Sequence, residues 1–419
     1  MSELTFNTVV TELEALNIMP KTMPGLDKLK QALQHKTWFQ DMPEEKIITV
    51  AGTNGKGTTC AALQTLLLSA GKKVGLYTSP HLISTTERIR VDGESITEAE
   101  FIELYRENKK LITQYHLTHF ESLTLMAADC FFAKNDLDYV LFEVGLGGTY
   151  DATNVFPNRY SVITALALDH QNILGDTVLD IAKNKFGIIK AHSKVIHHPL
   201  PPEVFALFSE VLSKTNSQAI PAIAGTVTCE KSFEPYWFLQ TPWGKTMINL
   251  PGQRACENIM TALTVFEELG FEPQDHLHSL EKIPWQGRMQ KIKWPHIPAP
   301  VYLSGDHNIQ GVQSLAHILH YFEWNELHLV VGIGQDKAAE EMLRILLGLP
   351  RVKLHLTKTP FKGRSVMDYP EELRVKAVSE NDNVIELLNS LTVAKNDLVV
   401  VTGSLYLVGQ VLSELAHFK

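Results

Sequence analysis

Apolar positions along the chain fall into two alternating kinds of segment. Short β-branched or continuous apolar runs at 46–50, 73–77, 138–144, 161–168, 301–303, 327–332, 352–356 and 397–402 read as buried strands. Between them, apolar residues recur at helical spacing over 4–16, 26–33, 60–68, 97–115, 123–133, 178–186, 258–269, 312–322 and from 407 onward. Pro20, Pro24 and Gly25 break the first two helices apart, and Gly71 and Gly270 end two others. Thr97 with Glu100 has the spacing of a capping box ahead of 97–115. Strand and helix in alternation predict an α/β fold with mostly parallel sheets.

The alternation lapses over 193–251. There the clearest pattern is a hairpin, 237–239 and 245–250, around Pro242-Trp243-Gly244. It restarts after Ile283-Pro284-Trp285-Gln286-Gly287-Arg288 and a stretch with Pro295, Pro298 and Pro300. With 419 residues, more than one core usually spans, two domains are expected, 1–287 and 288–419. No solenoid-length repeat or low-complexity segment interrupts them.

A net charge of −9 argues against a general nucleic-acid binder. No apolar run reaches membrane-spanning length, and no secretory signal is visible. Cys60, Cys130, Cys229 and Cys256 are scattered without CxxC spacing, which points to a reducing compartment, the cytoplasm, and away from structural zinc.

The chemistry gathers at Ala51-Gly52-Thr53-Asn54-Gly55-Lys56-Gly57-Thr58-Thr59. Strand, glycine-rich turn and helix start form a phosphate cradle. Inward backbone N–H groups and the helix N-terminus supply positive potential, and Lys56 reaches the outer phosphates. The common pattern places a Mg²⁺-holding hydroxyl directly after the lysine. Gly57 intervenes here, so the hydroxyl comes from Thr58 or Thr59. The strand 138–144 ends in Glu143, the layout of a magnesium-holding acid beside such a loop. Gly145-Leu146-Gly147-Gly148 and Asp151-Ala152-Thr153-Asn154 follow it, and Asp169-His170 ends the next strand. Loops beyond strand C-termini line the crevice of an open α/β sheet. Ser79, Pro80, His81 and Arg88 are therefore candidate substrate contacts, although Arg88 beside Glu87 also reads as a solvated charge. Lys183 and Lys185 sit on a helix, where lysines are usually solvated, but Phe186-Gly187-Ile188-Ile189 places Lys185 near buried structure. His197-His198 reads as structural.

These motifs resemble the folylpolyglutamate synthase/dihydrofolate synthase family of the Mur ligase superfamily. The matches are Gly52 to Thr58, Ser79-Pro80-His81-Leu82, Glu87-Arg88-Ile89, Phe120-Glu121, Glu143 to Gly148, Asp151 to Asn154, Asp169-His170, Leu174 to Thr177 and Ile181-Ala182. Gly287-Arg288, His307-Asn308, Asp336-Lys337 and Thr402-Gly403-Ser404-Leu405-Tyr406 extend them almost to the end. The resemblance implies a P-loop, Mur-ligase-like domain carrying the ATP and folate sites, and a smaller Rossmann-like C-terminal domain. It implies an ATP-dependent amide ligase adding L-glutamate to dihydropteroate, to tetrahydrofolate γ-carboxylates, or both, through an acyl phosphate. ATP would be held by Gly52, Thr53, Asn54, Gly55, Lys56, Gly57, Thr58, Asn258, Arg288 and Asp306. One Mg²⁺ would lie between Thr58 and Glu143, and a second would be held by His170 and a carbamylated Lys185; a monovalent cation is also admitted. Lys56, Lys185, His170 and His307 would be catalytic. Ser79, Pro80, His81, Arg88, Asp151, Arg288, His307 and Ser404 would contact substrate. Small molecules would be the partners, and the resemblance suggests a monomer.

Four departures touch the substrate and nucleotide edges. Thr149 and Tyr150 replace an Arg-Leu pair, and Ser304 replaces an acid. Lys185-Phe186-Gly187 replaces Lys-Ala-Gly, and Arg254-Ala255 replaces His-Gln. If the strand continued past Ser304, Asp306 would share its face and compensate for the missing acid. A Mur-superfamily ligase acting on another carboxylate is the alternative that Thr149, Tyr150 and Ser304 motivate. A nucleotide-binding regulator is a third reading, opposed by the intact Lys56, Glu143, His170 and Lys185.

Overall fold

The computed structural model describes residues 4–16 and 25–417; Pro20 and Pro24 lie outside them. The chain divides into two compact units, Met1–Ala224 with Glu257–Leu280, and Gly225–Cys256 with Glu281–Lys419.

The first unit is built on eight strands: β1 Ile47–Ala51, β2 Val74–Tyr77, β3 Ile89–Val91, β4 Glu94–Ser95, β5 Tyr139–Glu143, β6 Tyr160–Ile163, β7 Lys194–His197 and β8 Gln218–Pro221. Their order is β4-β3-β2-β5-β1-β6-β7-β8. Only the β2–β3 and β3–β4 pairs are antiparallel. β1 lies between β5 and β6, parallel to both, and all five of its residues are buried. A strand covered on both faces reads as an unbroken apolar run, which is how the sequence shows it.

The helix Glu98–Gln114 opens with the expected Thr97/Glu100 capping box. The helix His119–Ala133 begins four residues before the 123 expected. A second capping box, Thr118 with Glu121, starts it there. On one side of the sheet Phe142 stacks on Phe156 with centroids 4.6 Å apart, within a core that includes Tyr77, Phe131 and Leu123. Each such aromatic contributes about 2–3 kcal/mol through burial. Beyond Ile163 the expected strand 161–168 stops early. Thr164 to Ala167 leave the sheet and bond to the glycine loop instead, with a bridge between Asn54 and Ala165.

In the second unit, β9 Thr226–Cys229, β10 Trp237–Thr241 and β11 Gly244–Ile248 form a three-stranded antiparallel sheet. A six-stranded sheet follows: β12 Gln290–Ile292, β13 Val301–Ser304, β14 Leu327–Val331, β15 Val352–Leu356, β16 Ala377–Glu380 and β17 Leu398–Thr402, in the order β12-β13-β17-β14-β15-β16. It is parallel except for β12.

The compact units are drawn differently from the 1–287 and 288–419 domains expected. The later boundary falls after Leu280, and residues 225–256, assigned to the first domain, group with the second unit. The hairpin is tied there by Ser232 N–H to Tyr321 O (3.2 Å), Glu323 N–H to Ser232 O (2.8 Å) and an edge-on Trp237–Tyr321 contact. Alternation along a hairpin does not say which core it will cover. Two helices are also displaced from expectation. Asn308 caps Ile309–Leu319, predicted at 312–322, and the last helix is Leu405–His417.

Candidate active site

Three neighbouring strands, β5, β1 and β6, end at one edge of the first sheet, and the loops leaving them carry the motifs. The loop after β1 ends at Gly55, whose φ of +93° and capping position start the helix Lys56–Ser69. A Cβ on Gly55 would lie 2.1 Å from Asn258 Oδ1, so only glycine permits both the turn and the close approach of that amide. The segment after β6 holds the loop in shape. Thr53 N–H donates to Ala165 O (2.8 Å), Thr53 Oγ1 donates to Ala167 O (2.9 Å), and Thr164 Oγ1 donates to Asn54 O (2.8 Å). Lys56 Nζ donates to Gly52 O (3.1 Å) and Thr53 O (3.4 Å), and Thr58 is buried in the first helical turn.

Glu143, at the end of β5, is buried and accepts Ser79 N–H at 3.0 Å. The sequence separates these two by 64 residues; parallel pairing of β2 with β5 brings them together. Gly145 follows, and a Cβ there would meet Phe120 at 2.6 Å, so the turn lies flat against an aromatic ring. Asp151 has an immediate role other than substrate contact. Its Oδ2 accepts Gly145 and Leu146 N–H (3.0 and 2.9 Å), and its Oδ1 accepts Thr153 N–H and Oγ1–H (3.0 and 2.6 Å). Burial pushes its carboxyl upward against these four stabilising donors. Thr149, which departs from the family pattern, donates through N–H and Oγ1 to Asn184 O (2.8 and 3.0 Å) and fits against Gly187. Tyr150 is exposed.

Lys185 is buried and donates to Gly52 O at 2.8 Å, the same carbonyl that Lys56 contacts. Burial lowers its ammonium to about 7, Lys56 pushes the same way, and Asp169 and Asp151 oppose them. His170 is a non-glycine residue at φ +50°, its N–H donating to Asp169 Oδ1 at 2.9 Å and its ring 4.0 Å from that oxygen.

On the β2 side, the buried Arg88 donates from Nε to His81 Nδ1 at 2.9 Å. Burial, then the charges of Arg88 and His119, hold His81 down to about 3. His81 is therefore neutral and accepts from the guanidinium. The solvated-charge reading of Arg88 is wrong. Pro80 follows Ser79 in the same turn.

In the second unit the residues singled out also converge. A Cβ on Gly305 would lie 3.1 Å from Arg288 Nη1, and His307 Nδ1 lies 2.9 Å from Gly305 O. β13 ends at Ser304, so Asp306 does not share its strand face. Instead Ser304 Oγ donates directly to Asp306 Oδ2 at 2.6 Å, and Gly403 N–H reaches Asp306 O. Ser404 is buried; its Oγ accepts from Thr359 Oγ1 (2.8 Å) and Tyr406 N–H (3.1 Å) at the start of the last helix. Thr164, His119 and Thr359 were missed. Each acts from outside the motifs and only through a partner distant in sequence, so no local spacing marks it.

A phosphate-type loop with a convergent lysine pair and a buried carboxylate, on a parallel sheet, defines an ATP-dependent ligase of the Mur type, and residues 50–266 match the family model of the Mur ligase middle domain. The chain is 31% identical to the dihydrofolate synthase/folylpolyglutamate synthase of Bacillus subtilis, over 94% of its own length and 95% of the relative's. It is 30% identical to the Haemophilus influenzae protein of the same name, over 92% of each. It superposes on the Yersinia pestis bifunctional enzyme complexed with AMPPNP and Mn ion with a TM-score of 0.81 (28% identity, 99% and 98% coverage). On Escherichia coli FolC in complex with DHPP and ADP the TM-score is 0.83 (26% identity, 99% and 100% coverage). The chain belongs to the dihydrofolate synthase/folylpolyglutamate synthase family. Among the described residues no helix is long and apolar enough to cross a membrane.

Proposed function

We propose that this chain uses ATP to activate the carboxylate of a folate-class acceptor as an acyl phosphate, which the amino group of L-glutamate converts to an amide. The observation that carries this reading is the convergence of Lys56 and the buried Lys185 on the carbonyl of Gly52, inside a loop whose shape demands Gly55. Phosphoryl transfer asks for positioning and charge neutralisation more than covalent help. Lys56, with the N–H groups of Gly55 to Thr58 at the helix start, holds the outer phosphates, and Asn258, packed on Gly55, takes the adenine edge.

Hard oxygen donors suit Mg²⁺, and Thr58 and the buried Glu143 supply them for one ion. His170 and a carbamylated Lys185 would hold a second. A lysine whose ammonium is lowered to about 7 is substantially a free amine at neutral pH, the form that adds CO₂ to give a carbamate with oxygen donors. When bound, the divalent ions neutralise the triphosphate and polarise the acyl oxygen. Arg88, which donates to a neutral His81, and the Phe120 wall beside Gly145 serve the acceptor. Within the second unit, Arg288, Asp306, His307 and Ser404 form a polar cluster whose chemistry suits a small acid such as glutamate. Asp151 positions the glycine turn. Relatives of this name in Escherichia coli and Yersinia pestis have been crystallised with ADP and DHPP, and with AMPPNP and Mn. A reducing, cytoplasmic setting fits the four free cysteines.

The test is incubation of purified protein with ATP, Mg²⁺, L-glutamate and either dihydropteroate or tetrahydrofolate, followed by mass analysis. A product heavier by one glutamyl residue with at least one acceptor is expected. ATP-dependent glutamylation of neither overturns the reading.

A further inference from the structure

Polar side chains from four adjacent strands of the six-stranded sheet form a chain that leads from Ser379 and His355 to the sheet end opposite Ser304 and Ser404. Glu326 immediately precedes β14 and Asp397 immediately precedes β17, and the two strands pair from Leu327 and Leu398 onward. His328 lies on β14, His355 on β15 and Ser379 on β16. The two imidazoles stack with centroids 5.2 Å apart. His328 Nδ1 is 3.0 Å from His355 Nε2, and His355 Nδ1 is 2.7 Å from Ser379 Oγ. Asp397 is anchored by two backbone donors, Glu326 N–H on Oδ1 (3.1 Å) and Ala394 N–H on Oδ2 (2.7 Å). His328 is 5% exposed, and its Nε2 has no hydrogen-bond partner among the described residues. That nitrogen faces Asp397 Oδ2 across 3.6 Å, too far for a hydrogen bond. Donor atoms of Glu326, His328 and Asp397 all lie within 4.8 Å of one another.

We propose that His328 Nε2, Asp397 Oδ2 and the Glu326 carboxylate form a binding site for one divalent transition metal of the zinc class, separate from the nucleotide site. Zinc bonds to nitrogen and oxygen at about 2.0–2.2 Å, which sets neighbouring donors of a tetrahedral site about 3.4 Å apart. The His328–Asp397 separation matches that spacing. The other ring nitrogen is held as ligating histidines usually are. With His355 donating to Ser379 and accepting from His328 Nδ1–H, the lone pair of His328 is left on Nε2, facing the carboxylates. One imidazole and two carboxylates suit zinc, whereas magnesium favours near-octahedral oxygen coordination. Two carboxylates also balance the dication, and Lys353, 3.2 Å from Glu326 Oε1, leaves the other oxygen for it. In open parallel sheets substrates bind beyond the strand C-termini. This cluster sits at the N-terminal ends, so the metal ties β14 to β17 and takes no part in the reaction.

The full-length protein is stripped with chelator, equilibrated with Zn²⁺, dialysed and analysed for metal. Glu326→Gln, His328→Asn and, as control for the nucleotide site, Glu143→Gln are treated alike. One zinc per chain is expected in the wild type and in Glu143→Gln, with affinity reduced about tenfold or more in the other two. Zinc should raise the Tm of the wild type but not of Glu326→Gln, a half-exposed change that leaves the fold intact. Co²⁺ should give visible absorption of a four- or five-coordinate site only where Glu326 and His328 are present. No retained zinc in the wild type, equal retention in Glu326→Gln, or loss with Glu143→Gln overturns the site.

Discussion

The two parallel sheets place chemistry at their edges by different means. In the first, β5, β1 and β6 lie side by side, and each is followed by a contiguous motif: Gly145 to Gly148, Gly52 to Thr58, and Asp169-His170. In the second, the polar groups at the corresponding edge come singly: Arg288 before β12, Asp306 and His307 after β13, Ser404 after β17. A cradle of successive inward-pointing N–H groups is made by consecutive residues, so a phosphate loop is written as a run. Side chains that grip a small acid can come from anywhere in the sheet. The first kind of site is visible in one line of sequence, and the second emerges only when strands pair.

The comparison breaks first at Lys56. Lys56→Ala should lower ATP turnover about 10³-fold or more, since a positioned cation on a transferring phosphoryl group carries effects of that size; single-turnover ADP release measures it. Lys185→Ala should lower kcat about 10²–10³-fold, and short-chain carboxylates should restore part of it by supplying the lost oxygens. Absence of rescue would leave Lys185 as a positioning cation on Gly52 O. Gly55→Ala separates backbone from side chain, because it leaves every donor in place. Left-handed strain and the clash with Asn258 should cost about 2–3 kcal/mol in urea unfolding and weaken nucleotide binding in parallel.

The smallest effect concerns His81. Its folded value near 3 lies below the unfolded value near 6.5, so between them the unfolded chain binds more protons and stability is lost as pH falls. Comparing wild type with His81→Asn, the variant should gain about 1–2 kcal/mol relative to wild type between pH 7 and pH 4.5. An unchanged difference would mean that His81 is solvated.

Much of the first unit was legible. The strand 46–50, the helix 178–186 and the Thr97/Glu100 cap fall where period and capping chemistry put them. The early end of β6 was hidden because Thr164 to Ala167 are apolar enough to continue a strand, and only the loop from β1 draws them away. The grouping of residues 225–256 with the second unit was hidden for a similar reason, since the hairpin's partner, Tyr321, lies some 80 residues on. At the site, type and spacing alone single out Lys56 and Glu143 as candidates. That Asp151 braces a turn, that Ser404 caps a helix and that Arg88 is buried on a neutral histidine depended on partners no local pattern names.

Crystals grown with a non-hydrolysable ATP analogue and Mn²⁺, with data collected at the manganese absorption edge, test the central claim most directly. The triphosphate should lie on the Gly52 to Thr58 loop beside Lys56. Two anomalous peaks are expected, one between Thr58 and Glu143 and one at His170 with Lys185. Nucleotide bound elsewhere, or manganese remote from Glu143 and His170, would contradict the account.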